Sequence, residues 1–128
     1  MEVDSPDGPS GLPLDILIVE DDPIIALDFE DRIRGCGVKR VRSASNVARA
    51  LAMIGERAPD FALLDVSLIR EKSFAVAERL DALRIPFVFV TGYGAEANVL
   101  EAFADRPRLS KPCTTEALEA ALRQTPRS

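Results

Sequence analysis

Three short runs, Ile16 to Val19, Phe61 to Leu64 and Phe87 to Val90, are apolar at every position, and they restrict the fold more than any other feature of the chain. An alternating strand can leave one face in water. A continuous apolar one needs cover on both faces, which is the position of a strand in a parallel sheet between two layers of helices. The segments between the runs supply that cover. Val47, Ala50, Leu51 and Ile54 recur at helical spacing, as do Val76, Leu80 and Leu83. An earlier helix opens at Asp22-Pro23, a capping acid with proline at the first helical position, runs through Ile25, Phe29 and Ile33, and stops at Gly35. A last helix follows Lys111-Pro112, with Thr114 as its cap and Ala117, Leu118, Ala121 and Leu122 facing inward.

Two weaker strands, around 39–42 and 108–110, bring the count to five strand–helix units. Right-handed crossovers close such units into an α/β, flavodoxin-like (βα)5 doubly wound parallel sheet with strand order 2-1-3-4-5. Residues 14–125 form this unit. Residues 1–13 are rich in Pro, Gly, Ser and acids and read as a flexible lead, and 126–128 as a tail. A chain of 128 residues makes one domain of this kind.

Composition then excludes several kinds of chemistry. There is no His, which removes Ser-His-Asp and Cys-His hydrolases, imidazole-bound zinc and a phosphohistidine carrier. A formal charge of −5 argues against nucleic acid as a direct partner. The basic run Lys39, Arg40, Arg42 reads as protection of an edge strand. Cys36 and Cys113 stand far apart with no partner motif and read as reduced thiols. No apolar stretch approaches the length of a membrane span, and the N-terminus carries acids where a signal peptide carries bases, so a cytoplasmic protein is expected.

In a doubly wound sheet, function collects where the strands end at their carboxyl side, and the first and third strands flank the switch point. Reading those ends gives Glu20, Asp21 and Asp22, then Asp65, Thr91 and Lys111. Taken singly, each has an ordinary explanation. Asp22 caps a helix, Asp65 and Thr91 close turns, and Lys111 is a solvated loop charge. Together they make a site. Clustered carboxylates repel unless a divalent cation joins them, and hard oxygen donors suit Mg²⁺. Asp21 and Asp65 are the candidate direct ligands, with Glu20 acting through water. Asp65 is placed to accept a phosphoryl group, whose oxygens the Thr91 hydroxyl and Lys111 ammonium would receive.

The runs I-L-I-V-E-D-D-P at 16–23, L-L-D-V-S-L at 63–68, F-V-T-G at 89–92 and S-K-P at 110–112 resemble the receiver domain of bacterial two-component response regulators. The resemblance implies a phosphoacceptor, Asp65, charged by a histidine kinase or phosphotransfer protein. It implies metal binding by Glu20, Asp21, Asp65 and the backbone carbonyl of Ser67, a switch hydroxyl in Thr91, a phosphate-pairing Lys111, and a cis Lys111-Pro112 peptide. One position departs from the pattern. Receivers carry Tyr or Phe three residues before the lysine, and this chain has Arg108. The run Pro86 to Tyr93 resembles instead the receiver branch with a P-F-x-F-A-T-G-aromatic motif, Val90 replacing its alanine, so Tyr93 is expected to take over as switch.

The expectation is therefore a stand-alone regulator, or a link in a phosphorelay. It would catalyse only its own phosphorylation and dephosphorylation and would act by binding a protein partner. Two alternatives stand beside it. One is a receiver-like docking module that works without phosphate. The other is a haloacid-dehalogenase-type Mg²⁺ phosphatase, disfavoured because no D-x-D run follows Val19.

Overall fold

The computed structural model describes residues 12–68, 71–91, 108–110 and 114–124. Five strands, β1 (Asp15–Val19), β2 (Arg40–Ala44), β3 (Phe61–Asp65), β6 (Phe87–Thr91) and β7 (Arg108–Ser110), form one parallel sheet in the order β2-β1-β3-β6-β7. Counting only these five, the order is the expected 2-1-3-4-5. Two further strands, β4 (Ser67–Leu68) and β5 (Glu71–Lys72), make a small antiparallel ribbon directly after β3 that the sequence reading did not anticipate. The helices are α1 (Pro23–Gly35), α2 (Val47–Glu56), α3 (Phe74–Ala82) and α4 (Thr115–Gln124). The segment between β6 and β7, expected to hold a helix, lies outside the described residues. No helix among the described residues is long and apolar enough to cross a membrane.

The solid apolar strands are buried on both sides, for the reason their sequence suggests. Ile16 and Ile18 of β1 pack with Phe61, Leu63, Val88 and Val90 against α1 and α4, through Phe29, Ile33, Leu118 and Leu122. Leu17 and Val19 face the other way, with Ala62, Leu64, Phe87 and Phe89, onto Ala50, Ile54, Val76 and Leu80 of α2 and α3. Aromatic edges lock the second layer. Phe89 meets Phe87 at 5.3 Å and Phe74 at 6.0 Å, both edge-to-face.

Several details differ from the sequence reading. Leu12, which falls in the expected flexible lead, is buried in the core, so the core takes in a residue two positions before the expected boundary at Leu14. The close passage of Leu12 by Gly37, whose φ is +110°, uses a conformation that L side chains rarely adopt. Leu51 is exposed and Met53 is buried in its place, because the stripe of α2 that meets the sheet runs through Ala50, Met53 and Ile54. Leu83 is exposed as well. Helix α3 ends at Ala82, the chain reverses through Arg84 at φ 61°, and Ile85 becomes the buried residue. Cys36 lies at the end of α1, where burial first and the Glu119 carboxylate second push its thiol above its ordinary pKa, against the pull of Arg123.

The N-terminal edge of the sheet carries a polar clamp. Asp15 is buried, and its carboxylate accepts two bonds from the Arg42 guanidinium at 3.2 Å and one from Arg57 at 3.1 Å. Arg42 also donates to the carbonyls of Met53 and Arg57, tying down the end of α2. Asp60 joins as well: its carboxylate accepts from the Asp15 amide at 3.1 Å, and its own amide donates to the Asp15 carbonyl at 2.8 Å. Arg42 on edge strand β2 therefore turns inward and serves as a tie, whereas Arg40 remains half exposed. Replacing Asp15 with Ala strands a mostly buried guanidinium. Because Arg57 keeps access to water, the expected loss is about 2–3 kcal/mol, smaller than for a fully enclosed pair. Urea denaturation of the two proteins side by side measures it.

Candidate functional site

Register decides which side chains meet. In the parallel ladders Val19 lies level with Leu64, and Asp65 with Val90. The residue after β1 is thus brought beside the last residue of β3. The loop that follows β1 is pinned by its own bonds. The Glu20 amide donates to the Ala44 carbonyl at 3.0 Å, and the Asp22 amide donates to the Glu20 carboxylate at 3.1 Å. Asp22 Oδ1 then accepts from the amides of Ile24 (2.9 Å) and Ile25 (3.3 Å), with Pro23 in the first helical turn. Asp22 is the helix cap that its position before proline predicts. Asp21, between strand and cap, is partly exposed at the same strand end.

Carboxylate oxygens of Glu20, Asp21 and Asp65 all lie within 4.8 Å of one another. Glu20 is 3% exposed and Asp65 7%, while Asp21 is partly exposed. Carboxylates ionised together at this separation repel, and a positive charge placed among them offsets that repulsion. The donors are hard carboxylate oxygens, the set that Mg²⁺ takes together with water. The structure thus gathers three of the four expected metal ligands. The fourth, Ser67, begins the β4/β5 ribbon, its backbone paired with Lys72, two residues beyond Asp65.

Thr91 closes β6 and lies level with Ser110 on β7, one position past the strand partner of Asp65, but its side chain lies outside the described residues. Lys111, Pro112 and Tyr93 also lie outside them. Arg108, at the position where the receiver pattern has an aromatic, is the first residue of β7, opposite Phe89. A groove not foreseen from the sequence adjoins the acids. It is lined by Pro23, Leu27, Glu30, Ser43, Asn46 and Arg49 together with Glu20 and Asp21, and Ser43 donates to the Glu30 carboxylate across it. Ile24 and Leu27, at 78% and 57% exposure, form an apolar surface on α1 beside the same acids. The spacing that sends Ile25, Phe29 and Ile33 inward turns these two outward, so the signal was present in the sequence.

The model of the response regulator receiver domain family matches residues 16–123. The chain belongs to that family. Among solved structures, this receiver is similar to SdrG from Sphingomonas melonis Fr1, 46% identical with a TM-score of 0.77, over 88% of this chain and 95% of that one. A second solution structure, the BeF3-activated conformation of SdrG from Pseudomonas melonis Fr1, is 43% identical with a TM-score of 0.73, over 88% and 95% of the two chains. Among curated proteins, the phyllosphere-induced regulator PhyR of Methylorubrum extorquens is 33% identical over 82 residues, 62% of this chain. The receiver spans 31% of the length of that protein. Receivers as a family bind Mg²⁺ in an acidic pocket, and the acid cluster here fits one.

The crowding has a measurable consequence. Asp21→Asn removes one of three opposed charges while keeping the shape of the side chain. In a chelating buffer it should raise the thermal midpoint by a few degrees, corresponding to roughly 1 kcal/mol. A midpoint unchanged or lowered would show that the carboxylates do not strain one another.

Proposed function

We infer that this receiver accepts a phosphoryl group on Asp65 from a histidine kinase or a phosphotransfer protein, and that the change is read by a protein partner in the cytoplasm. The observation that carries this reading is the convergence of the carboxylates of Glu20, Asp21 and Asp65 at the carboxyl edge of the sheet. Glu20, Asp21 and Asp65, with the Ser67 carbonyl, would hold Mg²⁺. When bound there, the ion would offset part of the negative charge of the acids and of the phosphoryl oxygens, which lowers the repulsion against a carboxylate approaching phosphorus.

The chemistry asked of the chain itself is small. A carboxylate oxygen of Asp65 attacks phosphorus, the new O–P bond forms as the N–P bond of a phosphohistidine breaks, and the released imidazole keeps the electron pair and takes up a proton. Placement of the acceptor supplies most of what this needs, and the strand end gives Asp65 a fixed position. The family resemblance assigns Lys111 to pair with the phosphoryl group and Thr91 to turn its hydroxyl toward it, with Tyr93 following as the readout. Such a protein acts on no second substrate. Leu27 lines the same groove as Glu20 and Asp21, and with the exposed Ile24 it offers apolar area on α1 for the approach of a protein donor.

Incubation with acetyl phosphate and Mg²⁺ should yield a hydroxylamine-labile adduct that mass spectrometry locates on Asp65. Asp65→Ala should abolish it, and EDTA should suppress it in the wild-type protein. An adduct of equal yield on the Asp65→Ala protein would overturn the assignment.

A further inference from the structure

Ser73 sits where the parts of the site's frame meet. Its amide donates to the carbonyl of Val66, the residue after Asp65, at 3.2 Å. The amide of Val66 donates in turn to the carbonyl of Val90, the residue before Thr91, also at 3.2 Å. The Ser73 carbonyl accepts from Val76 and Ala77 and so starts α3. Four backbone hydrogen bonds therefore join the acceptor loop, the strand that ends in Thr91, and the helix behind them.

The hydroxyl takes part in none of these links. Ser73 is 0% exposed, it precedes α3 without making the side-chain capping bond that serine usually makes there, and its Oγ has no hydrogen-bond partner. Among the described residues it is the only buried side-chain nitrogen or oxygen in that condition. Its backbone, at φ −86° and ψ 12°, is not the extended conformation of the caps before α1 and α2. An alanine would fill the same space without leaving a polar atom unsatisfied, so a use for the oxygen lies in another arrangement of the loop.

We propose that Ser73 is a positioning residue for the acceptor loop, its idle buried hydroxyl donating to a backbone carbonyl of segment 66–68 once Asp65 carries a phosphoryl group. The proposal rests on the reading of Asp65 as phosphoacceptor. Carbonyl oxygens have two lone pairs, so even that of Val66, already accepting from the Ser73 amide, retains capacity for a second donor. The bond gained in the second arrangement and absent in the first biases the loop toward the phosphorylated form.

Amide NMR of Val66 and Val90 during titration with beryllofluoride, at fixed Mg²⁺, tests this. Ser73→Ala should keep or raise the thermal midpoint of the untreated protein and still form the Asp65 adduct with acetyl phosphate. It should also need roughly threefold or more beryllofluoride for half conversion. Ser73→Gly should show the same weakened response. An alanine variant that converts at the wild-type concentration overturns the role of Ser73 alone. A wild-type protein that neither responds nor forms an adduct overturns the reading of Asp65 and this proposal with it. Unfolding of both variants before any treatment also overturns the proposal, because the hydroxyl would then be supporting the untreated arrangement.

Discussion

The alignment of β1, β3 and β6 is the constraint on which the rest of this molecule depends. Parallel ladders pair Val19 with Leu64 and Asp65 with Val90, and a slip of one residue in either pairing would turn every side chain of a strand to the opposite face. Here both faces are apolar, so the resistance to slippage comes from shape: Phe89 against Phe87 and Phe74 on one side, Ile16 and Ile18 against Phe29 and Ile33 on the other. Close packing of these shapes holds the strands in register. The acids that follow the strands inherit this placement and need little further holding.

The loop after β1 shows how economically that is done. Asp22 is spent on the amides of α1, Glu20 on the amide of Asp22, and the Glu20 backbone on Ala44. Three consecutive acids thus have distinct surroundings. One satisfies a helix end, one is buried at the sheet and one looks into the crevice.

Much of this was legible in the sequence, for definite reasons. Continuous apolar strands, a proline-started helix after Asp22 and a threonine cap at Thr114 are local signals, and the Thr114 hydroxyl accepts from the Ala117 amide at 3.0 Å as expected. Glu20, Asp21 and Asp65 follow from strand order alone. What escaped notice depends on distance along the chain or on small rotations. The Asp15 and Arg42 pair spans 27 residues, so Arg42 read as part of a surface run. Met53 and Leu51 compete for the same stripe of α2, and only the crossing of helix and sheet decides between them. The β4/β5 ribbon carries no hairpin dipeptide, and a buried hydroxyl such as that of Ser73 leaves no mark in a sequence.

The clamp of Asp15, Arg42 and Arg57 stands at the opposite rim from the acid crevice. A molecule whose anchoring charges and working charges occupy separate rims can change one set with little harm to the other. Substitutions around the crevice then leave the scaffold intact, so the residues at the carboxyl rim can vary without loosening the fold that holds them.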